Sequence, residues 1–276
     1  MIRQLGRILA ALALAAVTTV PGVTLTSSAA HADGCYTWGR TLSQGMSGED
    51  VRQLQIRVAG YPGYAAVLTI DGAFGPATRS AVIRFQQAYG LGADGIAGPQ
   101  TFNRLYALQD DDCTPANFSY AELNNCNSTW SGGAVSASTA RANALVSMWK
   151  LQALRHALGD VPIAISSSFR SYACNSAVGG ASNSRHLYGD AVDLVGSPSF
   201  CRLAQQARYH GFGQILGPGY RTTTTTPTWR RSAAGQRRTA ASDDGKPASR
   251  LKIALDHGCS GLPGAGGHYI LDRARS

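Results

Sequence analysis

The sequence has no Cys-x-x-Cys pair, no long apolar run after its first twenty residues, and almost no charge imbalance through its middle. Each lack excludes something. The six cysteines (Cys35, Cys113, Cys126, Cys174, Cys201 and Cys259) stand far apart, which excludes a zinc site built from paired cysteines. They suit disulfides in an oxidising compartment, although spacing alone leaves the pairing open. The early apolar run, Ile8 to Val20, is too short to cross a bilayer. Arg3 and Arg7 precede it, and Ala30-His31-Ala32 follows it. This pattern predicts a secretory signal peptide over residues 1–32, cleaved after Ala32, and a soluble extracytoplasmic protein with no membrane attachment after cleavage. The net charge of +9 is unevenly spread. Residues 221–276 carry ten Lys/Arg against four Asp/Glu, whereas residues 33–220 carry thirteen against twelve. A nearly neutral body gives no reason to expect a nucleic-acid partner.

What is present begins with an internal repeat. Asp71-Gly72-Ala73-Phe74-Gly75-Pro76-Ala77-Thr78 matches Asp94-Gly95-Ile96-Ala97-Gly98-Pro99-Gln100-Thr101. Each copy sets a glycine turn before a proline, a residue favoured at the first position of a helix because its missing N–H is not needed there. Helices are therefore expected after both copies. Ala81, Val82, Phe85 and Tyr89 give the apolar face of one, and Phe102, Leu105 and Tyr106 that of the other. An earlier helix carries Val51, Leu54 and Val58, with Ser47 or Asp50 as its cap. Three short helices make a small bundle. Together with Leu42-Ser43-x-Gly45, Gly48-x-Asp50-Val51, Leu54-Gln55, Phe85-Gln86 and Gly90-Leu91, the stretch resembles the peptidoglycan-binding domain of cell-wall hydrolases. The domain is placed at residues 35–113, bracketed by Cys35 and Cys113, and these two cysteines are expected to pair.

A polar connector occupies residues 109–137, rich in Asp, Asn, Ser and Gly. Residues 139–158 read as an amphipathic helix whose buried face is Leu145, Met148, Leu151, Leu154 and Leu158, stopped by Gly159. His156 on this helix is expected at the surface or in the core rather than as a ligand. Val161 to Ser166 and Phe212 to Leu216 read as strands, and Pro198 to Tyr209 as a helix capped by Ser197. This order indicates an α+β domain over residues 114–220.

The chemistry concentrates in Ser184-Arg185-His186-Leu187-Tyr188-Gly189-Asp190-Ala191-Val192-Asp193-Leu194. In a strand from Ala191 to Leu194, Val192 and Leu194 share the core face and Asp193 faces outward. Gly189 lets the chain turn so that His186 returns beside Asp193. An imidazole and a carboxylate converging on one point are what a zinc site requires. The motif S-x-H-x-x-G-x-A-x-D, with Ser166-Ser167-Ser168-Phe169-Arg170-Ser171 and Cys174-Asn175 upstream and Gly217-Pro218-Gly219-Tyr220 downstream, resembles the secreted zinc D-Ala-D-Ala carboxypeptidases, which share a fold with hedgehog signalling domains. The resemblance covers residues 120–220. It implies that His186 and Asp193 are two of three zinc ligands and that Arg170 holds the terminal carboxylate of a D-Ala-D-Ala stem peptide. It further implies a wall-associated monomer whose partner is peptidoglycan. Asp190, four residues from His186, competes with Asp193 as the ligand; the family spacing favours Asp193 and leaves Asp190 solvated. Cys126 is expected to pair with Cys174, tying the domain's entry to the loop after Arg170.

The resemblance breaks after Tyr220. The family closes its site with a D-x-H-x-D-H-x-H-like segment that supplies the third ligand and the base, but here Arg221 is followed by Thr222 to Thr226, Pro227, Thr228, Trp229 and Arg230. Shifting the reading frame by one nucleotide turns threonine codons of the form ACN into NAC, which encodes only His, Asp, Asn or Tyr. The shifted frame permits P-D-H-D-D-H-T-H-V-A, then P-D-C-G-I, then a stop at Asp243. Residues 221–276 are therefore read as an out-of-frame, disordered tail, with His257 and His268 fortuitous and Cys201 left without a well-placed partner. Two other readings stand beside the carboxypeptidase: a non-catalytic peptidoglycan-binding protein, and an endopeptidase of the same fold cutting within the stem peptide.

Overall fold

The computed structural model describes residues 35–124, 126, 129–196, 198–216 and 269–272. The N-terminal module holds α1 (Glu49–Arg57), α2 (Pro76–Ala88) and α3 (Pro99–Ala107). Pro76 and Pro99 occupy the first turns of α2 and α3. The α1 N-cap is Gly48, with no side-chain capping bond, so neither Ser47 nor Asp50 serves as the expected cap.

The repeat has a structural cause. Gln55 on α1 is buried and reaches under the first loop, donating from Nε2 to Asp71 Oδ1 (2.8 Å), the Ala73 carbonyl (3.0 Å) and Thr78 Oγ1 (3.1 Å). Its Oε1 accepts from the Gly72 N–H at 2.7 Å. Gln86 on α2 repeats the pattern under the second loop, with Asp94 Oδ1, the Ile96 carbonyl, Thr101 Oγ1 and the Gly95 N–H as partners. The Ala73 N–H and then the Gln55 amide hold the Asp71 carboxyl below the usual carboxylate range, and Ile96 and Gln86 do the same for Asp94. Leu42, Leu54, Phe74, Phe85 and Phe102 close the core between these loops.

The C-terminal domain contains α4 (Tyr120–Leu123), α5 (Ala137–Ala157), β1 (Ala164–Ser167), α6 (Tyr172–Ala177), a 3-10 turn (Arg185–Tyr188), β2 (Ala191–Val195), α7 (Phe200–Ala207), β3 (Gln214–Leu216) and β4 (Tyr269–Asp272). The strands form one antiparallel sheet in the order β1-β2-β4-β3. Met148, Leu151 and Leu154 of α5 pack on Val192 and Leu194 of β2 and on Leu203 and Ala207 of α7. Leu145 is only partly buried, so the predicted apolar face is rotated slightly at that end. The C-terminal domain is α+β as expected. Its α7 is capped by Ser199, two residues later than predicted, and Ser197 lies outside the described residues.

The tail departs from expectation. Tyr269–Asp272 runs between β2 and β3, pairing Asp193 with Ile270 and Leu216 with Ile270 on its other side. Tyr-Ile-Leu is an aromatic and β-branched run that suits a central strand. Averaging composition over the whole tail conceals it. Cys201 is also disulfide-bonded, contrary to expectation, with a partner outside the described residues. Cys35–Cys113 and Cys126–Cys174 are disulfides, with Cα atoms 5.4 and 6.4 Å apart.

The two parts meet along α5. Trp149 and Val146 pack with Ile56 and Ala59. Gly60 sits so close to α5 that a side chain there would collide with Ala153. Arg57, buried between Trp38 and Trp149, bonds Gln109 Oε1 from both Nε (2.8 Å) and Nη2 (2.6 Å).

Candidate metal centre

Asp193 lies in the middle of β2, where Val192 and Leu194 turn inward to the core and leave its carboxylate on the other face. His186 sits on the 3-10 turn just before β2. Gly189 ends that turn at φ 75°, a left-handed conformation that suits glycine, and a Cβ there would lie 2.5 Å from the Ala140 carbonyl of α5. The turn can therefore press against α5 only with glycine at this point. Asn143 of α5 donates to the Tyr188 carbonyl at 2.9 Å and fixes the same turn.

The His186 ring is held from behind. Its Nδ1 is 2.6 Å from the Ser168 carbonyl, which accepts only from a protonated Nδ1. In a neutral ring this leaves the Nε2 lone pair facing Asp193. Ser168 is itself anchored by its hydroxyl to the Ala191 carbonyl at 2.8 Å, and the Arg170 N–H donates to the His186 carbonyl at 3.0 Å. A backbone carbonyl fixing the tautomer from the far side is the usual support for a metal-binding histidine.

Asp193 divides its two oxygens. Oδ2 accepts from Arg170 Nη2 at 2.9 Å, and Arg170 Nε donates to Ser167 Oγ at 2.9 Å. Oδ1 and His186 Nε2 are both buried, and neither has a hydrogen-bond partner among the described residues. They face one another at 3.4 Å. That is longer than a good hydrogen bond. Two such orphaned atoms would cost on the order of 1–3 kcal/mol each. A protonated imidazole could form an ion pair across the gap. A cation would use both lone pairs, and donors about 2.0–2.2 Å from a tetrahedral zinc lie about 3.4 Å apart. The imidazole nitrogen and carboxylate oxygen therefore fit zinc in type and in spacing.

Arg170, His186 and Asp193 thus come together, His186 and Asp193 as the strand alternation and the Gly189 turn expected, and Arg170 as the resemblance implied. Asp190 does not join them. Expected in solvent, it is instead buried and takes both Arg185 Nε and Nη2, because that fork can satisfy both carboxylate oxygens of a residue turned away from the cleft. His156 stacks on Tyr89 at 4.3 Å and pairs with Asp160, well away from His186 in the fold. Among the described residues no group of three His, Cys, Asp or Glu side chains could hold a metal together. His257, His268 and Thr222 to Thr228 lie outside the described residues. Sequence reasoning missed the Ser168 carbonyl and the Ser167 hydroxyl. Ser167 lies inside the Ser-Ser-Ser-Phe-Arg-Ser run and was open to notice, but a backbone acceptor carries no residue signal.

Comparison with known proteins follows the same division. The family model for Peptidase M15 matches residues 116–225, and that for a putative peptidoglycan binding domain matches residues 47–105. A zinc D-Ala-D-Ala carboxypeptidase of Streptomyces albus G is 69% identical over 216 residues, covering 76% of this chain and 85% of that protein. An N-acetylmuramoyl-L-alanine amidase, CwlM, of Mycobacterium tuberculosis is 44% identical over 61 residues, 22% of this chain and 14% of that one. Among solved structures, the SleB N-terminal domain is 38% identical over 26% of this chain and 96% of its own, with a TM-score of 0.24.

Proposed function

The chain belongs to the M15 peptidases and carries a peptidoglycan-binding module ahead of its peptidase domain, and from that membership we propose that it is a zinc D-Ala-D-Ala carboxypeptidase acting on the stem peptides of peptidoglycan. The observation that carries this reading is the buried, unpartnered pair of His186 Nε2 and Asp193 Oδ1 facing each other at 3.4 Å. When bound there, zinc supplies Lewis acidity to the scissile carbonyl and makes water nucleophilic near neutral pH.

The protein's own residues orient and hold. The Ser168 carbonyl keeps the His186 lone pair aimed forward. Arg170 steadies Asp193 through Nη2, and its Nη1, which makes no hydrogen bond to the described residues, would receive a terminal carboxylate. The module keeps the enzyme on an insoluble substrate and raises the local concentration of stem peptides. Secretion, wall association and a monomeric state complete the reading.

Among the described residues the site is short of one ligand, and this favours a second reading in which the chain binds wall without cutting it. No third donor joins His186 and Asp193 among the described residues, whereas a catalytic zinc uses three protein ligands. The shifted frame after Tyr220 permits the missing histidines. Zinc content and D-Ala release on a D-Ala-D-Ala peptide, measured on the chain as written and on the chain with the frame restored, test both readings. Restoration is expected to recover zinc and activity together. Stoichiometric zinc and D-Ala release from the chain as written would sink the frameshift reading. Release of internal fragments from whole stem peptides, with no free D-Ala, would mark an endopeptidase.

A further inference from the structure

A second cleft lies where the peptidoglycan-binding module meets the peptidase domain. It has a volume of about 300 Å³, at the lower end for small-ligand sites. Tyr64 from the module and Tyr209 from the peptidase domain form its rim, with ring centroids 5.1 Å apart and planes tilted by 57°. Both rings are unusually exposed, at 56% and 47%. Arg208 Nη1 donates to the Tyr64 hydroxyl at 3.4 Å and helps hold the rim.

Two polar groups remain available inside. His210 lines the cleft and is only 7% exposed. Its Nδ1 lies 2.8 Å from the Gly60 carbonyl, so Nδ1 carries the proton and Nε2 is left as an acceptor with no hydrogen bond to the described residues. Burial, first of all, pushes this imidazole below the ordinary histidine value, so the ring stays neutral and the acceptor persists at neutral pH. Arg84 is exposed and spends Nη1 on the Pro62 carbonyl at 3.0 Å, leaving further donors at the opening. The wall between is apolar, formed by Ala88, Ala153 and Ala157.

We propose that this inter-module cleft binds one N-acetylated amino sugar of the peptidoglycan glycan strand, a proposal that rests on the wall-binding reading above. The C–H face of a pyranose suits exposed phenol rings, which offer a large apolar surface and a polar tip. Sugar hydroxyls both donate and accept, matching an acceptor at His210 and donors at Arg84. The acetyl methyl suits the alanine wall. A peptide carboxylate suits the cleft less well, because the neutral His210 Nε2 presents a lone pair rather than a proton. The cleft takes residues from both parts, so a sugar held there places the strand across the junction.

The test titrates the full chain with the β-1,4-linked trimer of N-acetylglucosamine, by calorimetry or amide chemical shifts. Tyr64→Ala with Tyr209→Ala is expected to weaken binding about tenfold, and the non-acetylated glucosamine trimer to bind about tenfold more weakly than its acetylated form. Each ring is exposed, so either single variant carries the test if the double variant loses its thermal transition. Sedimentation with insoluble peptidoglycan is run in parallel. A chain that sediments with wall but ignores the trimer, or binds it equally well without the two tyrosines, overturns this proposal and leaves wall binding standing. A chain that does neither overturns both. A free stem peptide that perturbs these residues in place of the sugar also overturns it.

Discussion

The two loops of the N-terminal module and the turn that carries His186 pose the same folding problem and end differently. Both are glycine-containing segments held by buried polar groups. Under the loops, Gln55 and Gln86 find partners for both ends of their amides. Around the turn, every support is satisfied as well, including the Ser168 carbonyl, the Ser168 hydroxyl and Oδ2 of Asp193. Among the described residues the two atoms at its centre are left over, as are seven buried polar atoms elsewhere, Asn175 Oδ1 and Trp149 Nε1 among them. A buried polar group without a partner is expensive, and what marks this pair is that an imidazole nitrogen and a carboxylate oxygen face each other at 3.4 Å, a spacing that suits a shared cation. The contrast separates polar atoms that build a fold from polar atoms held in reserve for chemistry.

The largest expected break in that contrast is at the pair itself. In the restored-frame chain, His186→Ala or Asp193→Asn should cut zinc retention and D-Ala release by roughly a hundredfold or more, beyond the 10–100-fold typical of groups that only orient ligands. The melting temperature of the zinc-depleted protein should fall only modestly, since His186→Ala loses one bond to the Ser168 carbonyl and Asp193→Asn weakens one pair with Arg170, while the two facing atoms make no hydrogen bond to the described residues. A large loss of apo stability would show that the pair is structural.

The module should respond in the opposite way. Gln55→Ala leaves the Gly72 N–H without its acceptor and removes one of the donors to Asp71 Oδ1 and the Ala73 carbonyl, and Gln86→Ala does the same to Gly95, Asp94 and Ile96. Each should cost about 2–4 kcal/mol in denaturant unfolding, by similar amounts, and leave zinc binding intact. Unequal costs would show that the two copies, alike in hydrogen bonding, differ in packing.

The smallest effect concerns pH. His210 is held below its ordinary 6.5, chiefly by burial, with His156 adding to the shift and the Gly60 carbonyl opposing it. The unfolded chain therefore takes up this proton first as pH falls. Stability from His210 is present above about pH 6.5 and is lost as pH falls from there through the folded-state value. His210→Gln should flatten the acid side of the stability curve, read as midpoint against pH. An unchanged slope would assign that region to groups other than His210.

How much of this was legible depends on the signal each part leaves. The Gly-Pro punctuation announced α2 and α3, and alternation through Ala191 to Leu194 gave the orientation of Asp193. The fate of Asp190 was missed because an Arg five residues away has no fixed direction in sequence. β4 was missed because a four-residue strand vanishes inside a long polar average, and its place in the sheet depends on edges that form elsewhere. The support from Ser168 was invisible because it comes from the main chain.

One consequence of α5 concerns reach. Ala140 near its start backs the turn that presents His186, and Ala153 near its end is seated against Gly60 of the module. Thirteen residues of helix separate them, about 20 Å at 1.5 Å per residue. A pliant connector would let the peptidase sweep a sphere of wall around its anchor. A single stiff helix shared by both parts acts as a ruler, so stem peptides are sampled at one fixed offset from the point of attachment, and advancing to fresh ones means letting go and binding again.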